Sequence, residues 1–122
     1  MLFSSVYGSY GQDLNLYNKT IMRENISNSI IKLGFINLVR QIFSYYGQYN
    51  IRINIINLDG LYGHTVGKSK SQNQTFFKQY SEKSPLQRLG TPSEISKSPV
   101  FLSFSYTSYI TGSNLTIDGR IS

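Results

Sequence analysis

The sequence predicts an α/β fold built on a parallel sheet, and three observations lead to this class. The run IRINIINL at 51–58 is apolar on both sides of a strand, which is typical of a buried parallel sheet. A long helical pattern precedes it at 27–46, and a second helix start at Thr91 is followed by a short strand at 114–118. Strands that alternate with helices indicate parallel crossovers. A length of 122 residues fits one domain or part of one.

The first two elements are a strand that ends near residue 7 and a long helix. Residues 1–7 are apolar and β-prone until Gly8 interrupts them, so we expect the chain to begin within a strand. From 27 to 46, apolar residues recur every three or four positions, and Gly47 ends the pattern. The stripe consists of Ile30, Ile31, Phe35, Leu38, Ile42 and Phe43, and is widened by Ile36 and Val39. So wide an apolar face predicts cover on two sides, by the sheet and by a partner helix.

The second half of the chain is predicted as a lid, a helix and a last strand. Residues 60–90 are polar and rich in glycine and lysine, with one short helix around Phe76, Phe77 and Tyr80, and are predicted to form a lid. Thr91-Pro92-Ser93-Glu94 predicts a capping box that starts a helix running to about residue 104.

Composition excludes several classes of function. The absence of cysteine excludes disulfides, thiolate zinc sites and cysteine nucleophiles, and a single histidine, His64, excludes a histidine cluster; we expect no metal, and His64 in a solvated loop. No apolar window is long enough for a membrane span and no signal peptide is present, so we expect a cytoplasmic protein with no membrane partner. The net charge of +6 reflects only modest clustering of Lys and Arg at 68–97, and this segment lacks the aromatic-basic interleaving of a nucleic-acid module, so we expect no nucleic-acid partner.

Five segments follow one another along nearly the whole chain in a specific order and spacing. They are FSSVYG at 3–8, IIKLGFINLVRQI at 30–42, YNIRINIINLDG at 49–60, SPLQRLGTPSEI at 84–95 and SYITGSNLTIDG at 108–119. Together they resemble the C-terminal half of the short-chain dehydrogenase/reductase family. The stretch LYNKT at 16–20 further resembles a subgroup linked to bacterial flagellin and surface-sugar modification.

This resemblance implies the C-terminal half of a Rossmann-type, doubly wound sheet and an NAD or NADP cofactor. In the family, hydride moves between the nicotinamide and an alcohol or carbonyl carbon of a small-molecule substrate. The family's serine, which orients the substrate oxygen, falls on Ser5. Its lysine, which reaches the nicotinamide ribose and lowers the pKa of the catalytic tyrosine, falls on Lys32.

The position of the catalytic tyrosine is occupied by Asn28, four residues before Lys32. A carboxamide neither accepts nor releases a proton near neutral pH, so Asn28 can position a substrate oxygen but cannot exchange its proton. Tyr7 and Tyr17 are the alternative phenols, but neither has the helix-fixed relation to Lys32 that the family uses. This departure argues against catalysis.

Two further departures fall on cofactor positions. The family's Pro-Gly after the second strand reads Leu58-Asp59, which brings the Asp59 carboxylate near the cofactor, and Gly60 is retained beside it. The closing Asp-Gly-Gly reads Asp118-Gly119-Arg120. No G-x-G-x-x-G phosphate turn occurs, and the glycine-dense loop GLYGHTVG at 60–67 follows the wrong strand to serve as one.

Topology leads to a last expectation, about partners. If the strands lie in sequential order with right-handed crossovers, both helices lie on one face and the other face is bare, with an unpaired edge. We therefore expect self-association or a complementing N-terminal half. Three hypotheses stay open: an oxidoreductase fragment that is inactive alone, a non-catalytic interaction or oligomerisation module, and a decayed gene product.

Overall fold

A three-stranded parallel sheet organises the residues that the computed structural model describes, which are 1–22, 25–63 and 73–120. Its strands are β1 (Leu2–Ser5), β2 (Ile55–Leu58) and β3 (Asn114–Ile117), in the order β1-β2-β3. The sequential, parallel order confirms the predicted fold class. The predictions for His64 and for half of the loop at 60–67, from residue 64 onward, lie outside the described residues.

The long predicted helix is observed as α1 (Ile26–Tyr46). Asn25 caps it, since its side chain accepts a hydrogen bond from the Ser27 N–H at 3.0 Å. The buried residues of α1 are Ile36 and Val39, which pack with Ile55 of β2 in one core cluster. Half of the predicted apolar stripe is uncovered within the described ranges, since Ile30, Ile31 and Leu38 are 67%, 54% and 45% exposed, whereas Phe35, Ile42 and Phe43 are partly buried.

The chain just after β1 packs so closely against α1 that no side chain fits at Gly8. A short 3₁₀ helix (Val6–Gly8) follows β1, and the Ser4 hydroxyl donates a hydrogen bond to the Lys32 carbonyl at 3.3 Å. A Cβ atom on Gly8 would lie 2.7 Å from the carbonyl carbon of Lys32 and 2.9 Å from the Leu33 nitrogen. Both contacts are with helix backbone, so neither can be relieved by a side-chain rotation.

Replacing Gly8 by alanine is therefore expected to lower the free energy of unfolding by about 1–3 kcal/mol through overpacking. The matched control is Gly34→Ala on α1, where a new Cβ would meet nothing within 4 Å. That change should stabilise the chain by about 0.5–1 kcal/mol, because alanine is the better helix former. Urea denaturation followed by circular dichroism measures both changes, and effects of the same sign would contradict the close approach.

β2 is covered on both faces, which makes the expectation of a bare sheet face wrong for this strand. Ile55 and Ile56 point to opposite faces and are 1% and 0% exposed. Arg52 and Asn54, which alternate onto the side of Ile56, donate hydrogen bonds to backbone carbonyls at the end of the second long crossover. The end of the second crossover therefore lies against the residues that lead into β2. Only the flanks of the Ile56 face are exposed, at Phe3 (48%) and Leu115 (36%).

The observed β2 is also shorter than the strand predicted at 51–58. The residues just before Ile55 instead form hydrogen bonds that involve side chains with the segment that precedes β3. The Asn54 side chain donates to the Ile110 carbonyl at 3.0 Å and accepts from the Ser113 N–H at 3.0 Å. The Ile53 N–H donates to the Thr111 hydroxyl at 3.1 Å. Ile51, before these contacts, is 50% exposed.

The remaining helices are α2 (Gln74–Lys83) and α3 (Pro92–Ser103). The capping box of α3 is confirmed, since Thr91 and Glu94 each bond the other's backbone N–H. α2 belongs to the core: Tyr80 is 1% exposed and clusters with Leu16 and Leu89. A lid role for 60–90 stays a prediction.

Candidate active site

A cleft of about 290 Å³ lies where β1 and β2 end. Ser5 pairs with Leu58 at the last position of the β1–β2 ladder, so the residues that follow the two strands meet at one edge of the sheet. The cleft lies between that edge, the loop after β1 and the end of α2. Its lining residues are Val6, Tyr7, Tyr10, Gly11, Asp13, Leu16, Asp59 and Lys83.

Asp59 is the first residue after β2 and presents a buried carboxyl to the cleft. Its N–H donates to the Ile117 carbonyl at 3.3 Å, which extends the β2–β3 ladder by one bond. Burial raises the pKa of Asp59 to about 6, and the charge of Asp118 acts in the same direction. The Gly60 N–H and the Tyr80 hydroxyl oppose this rise. Among the described residues, no ion pair includes Asp59.

Two tyrosines, Tyr7 and Tyr80, face this carboxyl, and a third, Tyr17, is bonded to Tyr7. The hydroxyls of Tyr7 and Tyr17 lie 3.3 Å apart. Burial, the charge of Asp59 and the Tyr17 hydrogen bond raise the pKa of Tyr7 far above its ordinary value. Burial and Asp59 likewise raise the pKa of Tyr80, whose hydroxyl faces Asp59 without reaching hydrogen-bond geometry. Tyr7 and Tyr80 therefore remain protonated at neutral pH.

An ion pair between Lys83 and Asp13 closes the outer rim of the cleft. Both side chains are partly exposed, and the lysine hydrogen bond holds the pKa of Asp13 below its ordinary value. This pair was not predicted from the sequence, since the two residues are 70 positions apart and belong to different elements. No local pattern connects them.

Of the site residues predicted from the sequence, Asp59 lines the cleft, whereas Ser5, Asn28 and Lys32 are not among its lining residues. The Ser5 hydroxyl oxygen accepts a hydrogen bond from the Tyr7 N–H at 3.3 Å. Asn28 and Lys32 are half-buried and one turn apart on α1. Lys32 Nζ lies 5.4 Å from the centroid of the Phe35 ring.

Gly60 shapes the backbone next to Asp59. Its φ of +59° is in the left-handed region, and a Cβ there would lie 2.3 Å from ring atoms of Tyr80. Its carbonyl accepts a hydrogen bond from the Gly90 N–H at 2.8 Å. The glycine therefore lets α2 close against the end of β2.

The described residues contain neither a metal cluster nor a membrane-spanning helix. No three histidine, aspartate or glutamate side chains in 1–22, 25–63 and 73–120 lie close enough to hold a metal ion. None of the helices in these ranges is long and apolar enough to cross a bilayer.

Comparison with known proteins gives consistent matches. A family model described as enoyl-(acyl carrier protein) reductase matches residues 16–121. The crystal structure of a short-chain dehydrogenase from Leptospira borgpetersenii with bound NAD+ superposes with a TM-score of 0.81 at 32% identity, over 98% of this chain and 42% of that one.

Two curated relatives show the same partial coverage. A 7α-hydroxysteroid dehydrogenase of Paraclostridium sordellii is 37% identical over 77% of this chain and 35% of its own length. A 3-oxoacyl-(acyl-carrier-protein) reductase of Chlamydia trachomatis is 34% identical over 72% of this chain and 34% of its own length. The chain thus spans about a third of the length of these relatives.

Proposed function

The chain belongs to the short-chain dehydrogenase/reductase family, and on this premise we propose that it forms the substrate side of an NAD- or NADP-dependent oxidoreductase. It would act on a small alcohol or carbonyl compound, together with a dinucleotide-binding segment supplied by the same or another polypeptide. Without that segment, the 122 residues are expected to be inactive. The cleft beside Ser5 carries the proposal, because it joins a substrate-sized space to the carboxyl ends of two parallel strands.

The residues present fit the nicotinamide ribose of such a cofactor. The Lys32 ammonium is held over the Phe35 ring by a cation–π contact, which is worth only about 0.5–1 kcal/mol at an accessible site and can yield to a ribose hydroxyl. Asn28, one turn earlier on the same helix, adds an amide that both donates and accepts. The bound nicotinamide would supply or accept the hydride.

The chain's own residues would bind and orient the substrate oxygen. The oxygen of Ser5 accepts the Tyr7 N–H, which leaves its O–H available to donate to a carbonyl in the cleft. Asn28 can add a second hydrogen bond but holds no exchangeable proton. Tyr10 and Leu16 would contribute apolar surface to the cleft.

The test is cofactor binding by a chimera in which this chain replaces the matching 42% of the Leptospira enzyme. NADH fluorescence is expected to show micromolar binding to the chimera and none to the 122 residues alone. Lys32→Ala should weaken binding about tenfold, whereas Arg40→Ala, at an exposed position further along α1, should leave it unchanged. Tight NADH binding by the 122 residues alone, or none by the chimera, would contradict the proposal.

A second candidate, the non-catalytic oligomerisation module, is favoured by the apolar surface that α1 leaves uncovered. Ile30, Ile31 and Leu33 are 67%, 54% and 56% exposed on the first half of the helix. Analytical ultracentrifugation of wild type and Ile31→Lys tests it: a dimer that this substitution dissociates supports the module. If the wild-type sequence neither supports NADH binding in the chimera nor dimerises, the hypothesis that remains is a decayed gene product.

A further inference from the structure

The proposed reaction requires a side chain that exchanges a proton with the substrate oxygen. Asn28, which cannot do so, occupies the position where the family has its proton donor. Five side chains of the cleft carry a titratable proton: Tyr7, Tyr10, Asp13, Asp59 and Lys83. Asp13 and Lys83 neutralise each other at the rim, and Tyr10 is 53% exposed. Tyr7 and Asp59 are the two groups that remain, and burial raises the pKa of both.

Tyr7 is unsuited to exchange its proton. Burial, the Asp59 charge and the Tyr17 hydroxyl all disfavour its phenolate and move its pKa far above neutrality. The cation among the described residues that line the cleft is Lys83, and it is paired with Asp13. Tyr7 therefore serves the cleft as a neutral hydrogen-bonding group.

Asp59 has the required position. It directly follows Leu58, which pairs with Ser5, and adjacent parallel strands lie about 4.8 Å apart. Asp59 therefore lies at the same end of the sheet as Val6 and Tyr7, which follow Ser5 and line the cleft. It also lines the cleft and is not ion-paired among the described residues.

Asp59 also has the required environment. The groups that face it are Tyr7 after β1, Tyr80 of α2 and Asp118 after β3, and none of these is positive. The Tyr80 hydroxyl is buried and faces the Asp59 carboxyl. With a pKa of about 6, both protonation states of Asp59 are populated near neutral pH.

We propose that Asp59 is the catalytic residue that exchanges the substrate proton in this cleft, in place of the tyrosine whose position Asn28 occupies. In reduction, the carbonyl carbon receives a hydride from the reduced nicotinamide while the Asp59 O–H bond breaks and its proton passes to the carbonyl oxygen. The products are the alcohol, the oxidised nicotinamide and the Asp59 carboxylate, which regains a proton from solvent. Oxidation of an alcohol runs through the same steps in reverse. This inference rests on the proposed function.

The kinetic test uses the chimera, with NADH and 4-nitrobenzaldehyde as the probe substrate. Asp59→Asn is expected to lower kcat about 100-fold with KM and NADH binding unchanged, which is the usual size of a general-acid contribution. The control is Glu82→Gln, an exposed carboxylate on α2 that pairs with Lys78 and should have no effect. Adding Asn28→Tyr to the Asp59→Asn variant should raise kcat at least tenfold above that of Asp59→Asn and move the pH optimum of the reaction upward.

A second measurement does not depend on turnover. In the 122-residue chain labelled with 13C at the aspartate carboxyls, one resonance should titrate near pH 6 and disappear in Asp59→Asn. NADH binding without reduction of the probe, or reduction that survives Asp59→Asn, overturns the assignment of Asp59 and leaves the proposed function standing. Failure of NADH binding overturns the proposed function itself.

Discussion

Replacing Asp59 by asparagine is expected to raise the free energy of unfolding by about 3 kcal/mol at pH 8 and to leave it nearly unchanged at pH 4. The carboxyl has a pKa of about 6 in the folded chain against an ordinary value of 3.8, so the folded state binds the proton more tightly than the unfolded state. Its contribution is fully present below the unfolded pKa and is lost as the pH rises through the folded one. Asparagine mimics the protonated form and removes this loss.

Urea denaturation at intervals from pH 4 to pH 8 measures the effect. The informative control is Asp13→Asn, because the pKa of Asp13 is lowered by Lys83. That carboxylate stabilises the fold above its unfolded pKa, so its replacement should cost less than about 1 kcal/mol at pH 8, as for other exposed pairs. Stability curves for wild type and Asp59→Asn that stay parallel across this range would show that the carboxyl is not buried.

Replacing Gly60 by alanine is expected to lower the free energy of unfolding by about 3 kcal/mol or more. The left-handed backbone accounts for about 1–2 kcal/mol of this loss. The rest arises because the new Cβ would lie 2.3 Å from the Tyr80 ring, which is itself 1% exposed and has no room to move. Denaturation midpoints in urea give the change directly.

Gly63 offers the matched control for Gly60. Its φ is +81°, but a Cβ there would meet nothing within 4 Å, so Gly63→Ala should show the backbone cost alone. Tyr80→Leu combined with Gly60→Ala should be less damaging than the sum of the two single changes, since the smaller side chain relieves the clash. Equal losses at Gly60 and Gly63 would contradict the packing explanation.

Most of the fold could be predicted because its signals are local. The three- and four-residue spacing located α1 to within a residue, and Thr91-Pro92-Ser93-Glu94 located the start of α3. The cover of β2 could not be predicted in the same way. The sequence shows that Ile55 and Ile56 are apolar on both sides of the strand, but the element that packs on each side depends on contacts across about fifty residues.

The candidate site was predictable only where the family resemblance supplies a position. Ser5 falls on the family's serine and Asp59 on its Pro-Gly, and the structure has them at the end of β1 and directly after β2. Tyr80 and Lys83 were missed as contributors, since their partners Leu16 and Asp13 lie in a loop more than sixty positions earlier. The one available signal was the four-residue spacing of Phe76 and Tyr80, which marks an inward face of α2.

The central position of β2 has a consequence for how the sheet assembles during synthesis. Leu2 pairs with Ile55, and Ile55 with Asn114, so the two neighbours of β2 lie 53 and 59 positions away. No hairpin can nucleate such a sheet, and loop closure over these distances slows folding. On the ribosome, β2 therefore has one hydrogen-bonding edge unpaired until Asn114–Ile117 has emerged, and during that interval the edge is open to chaperones and to other nascent chains.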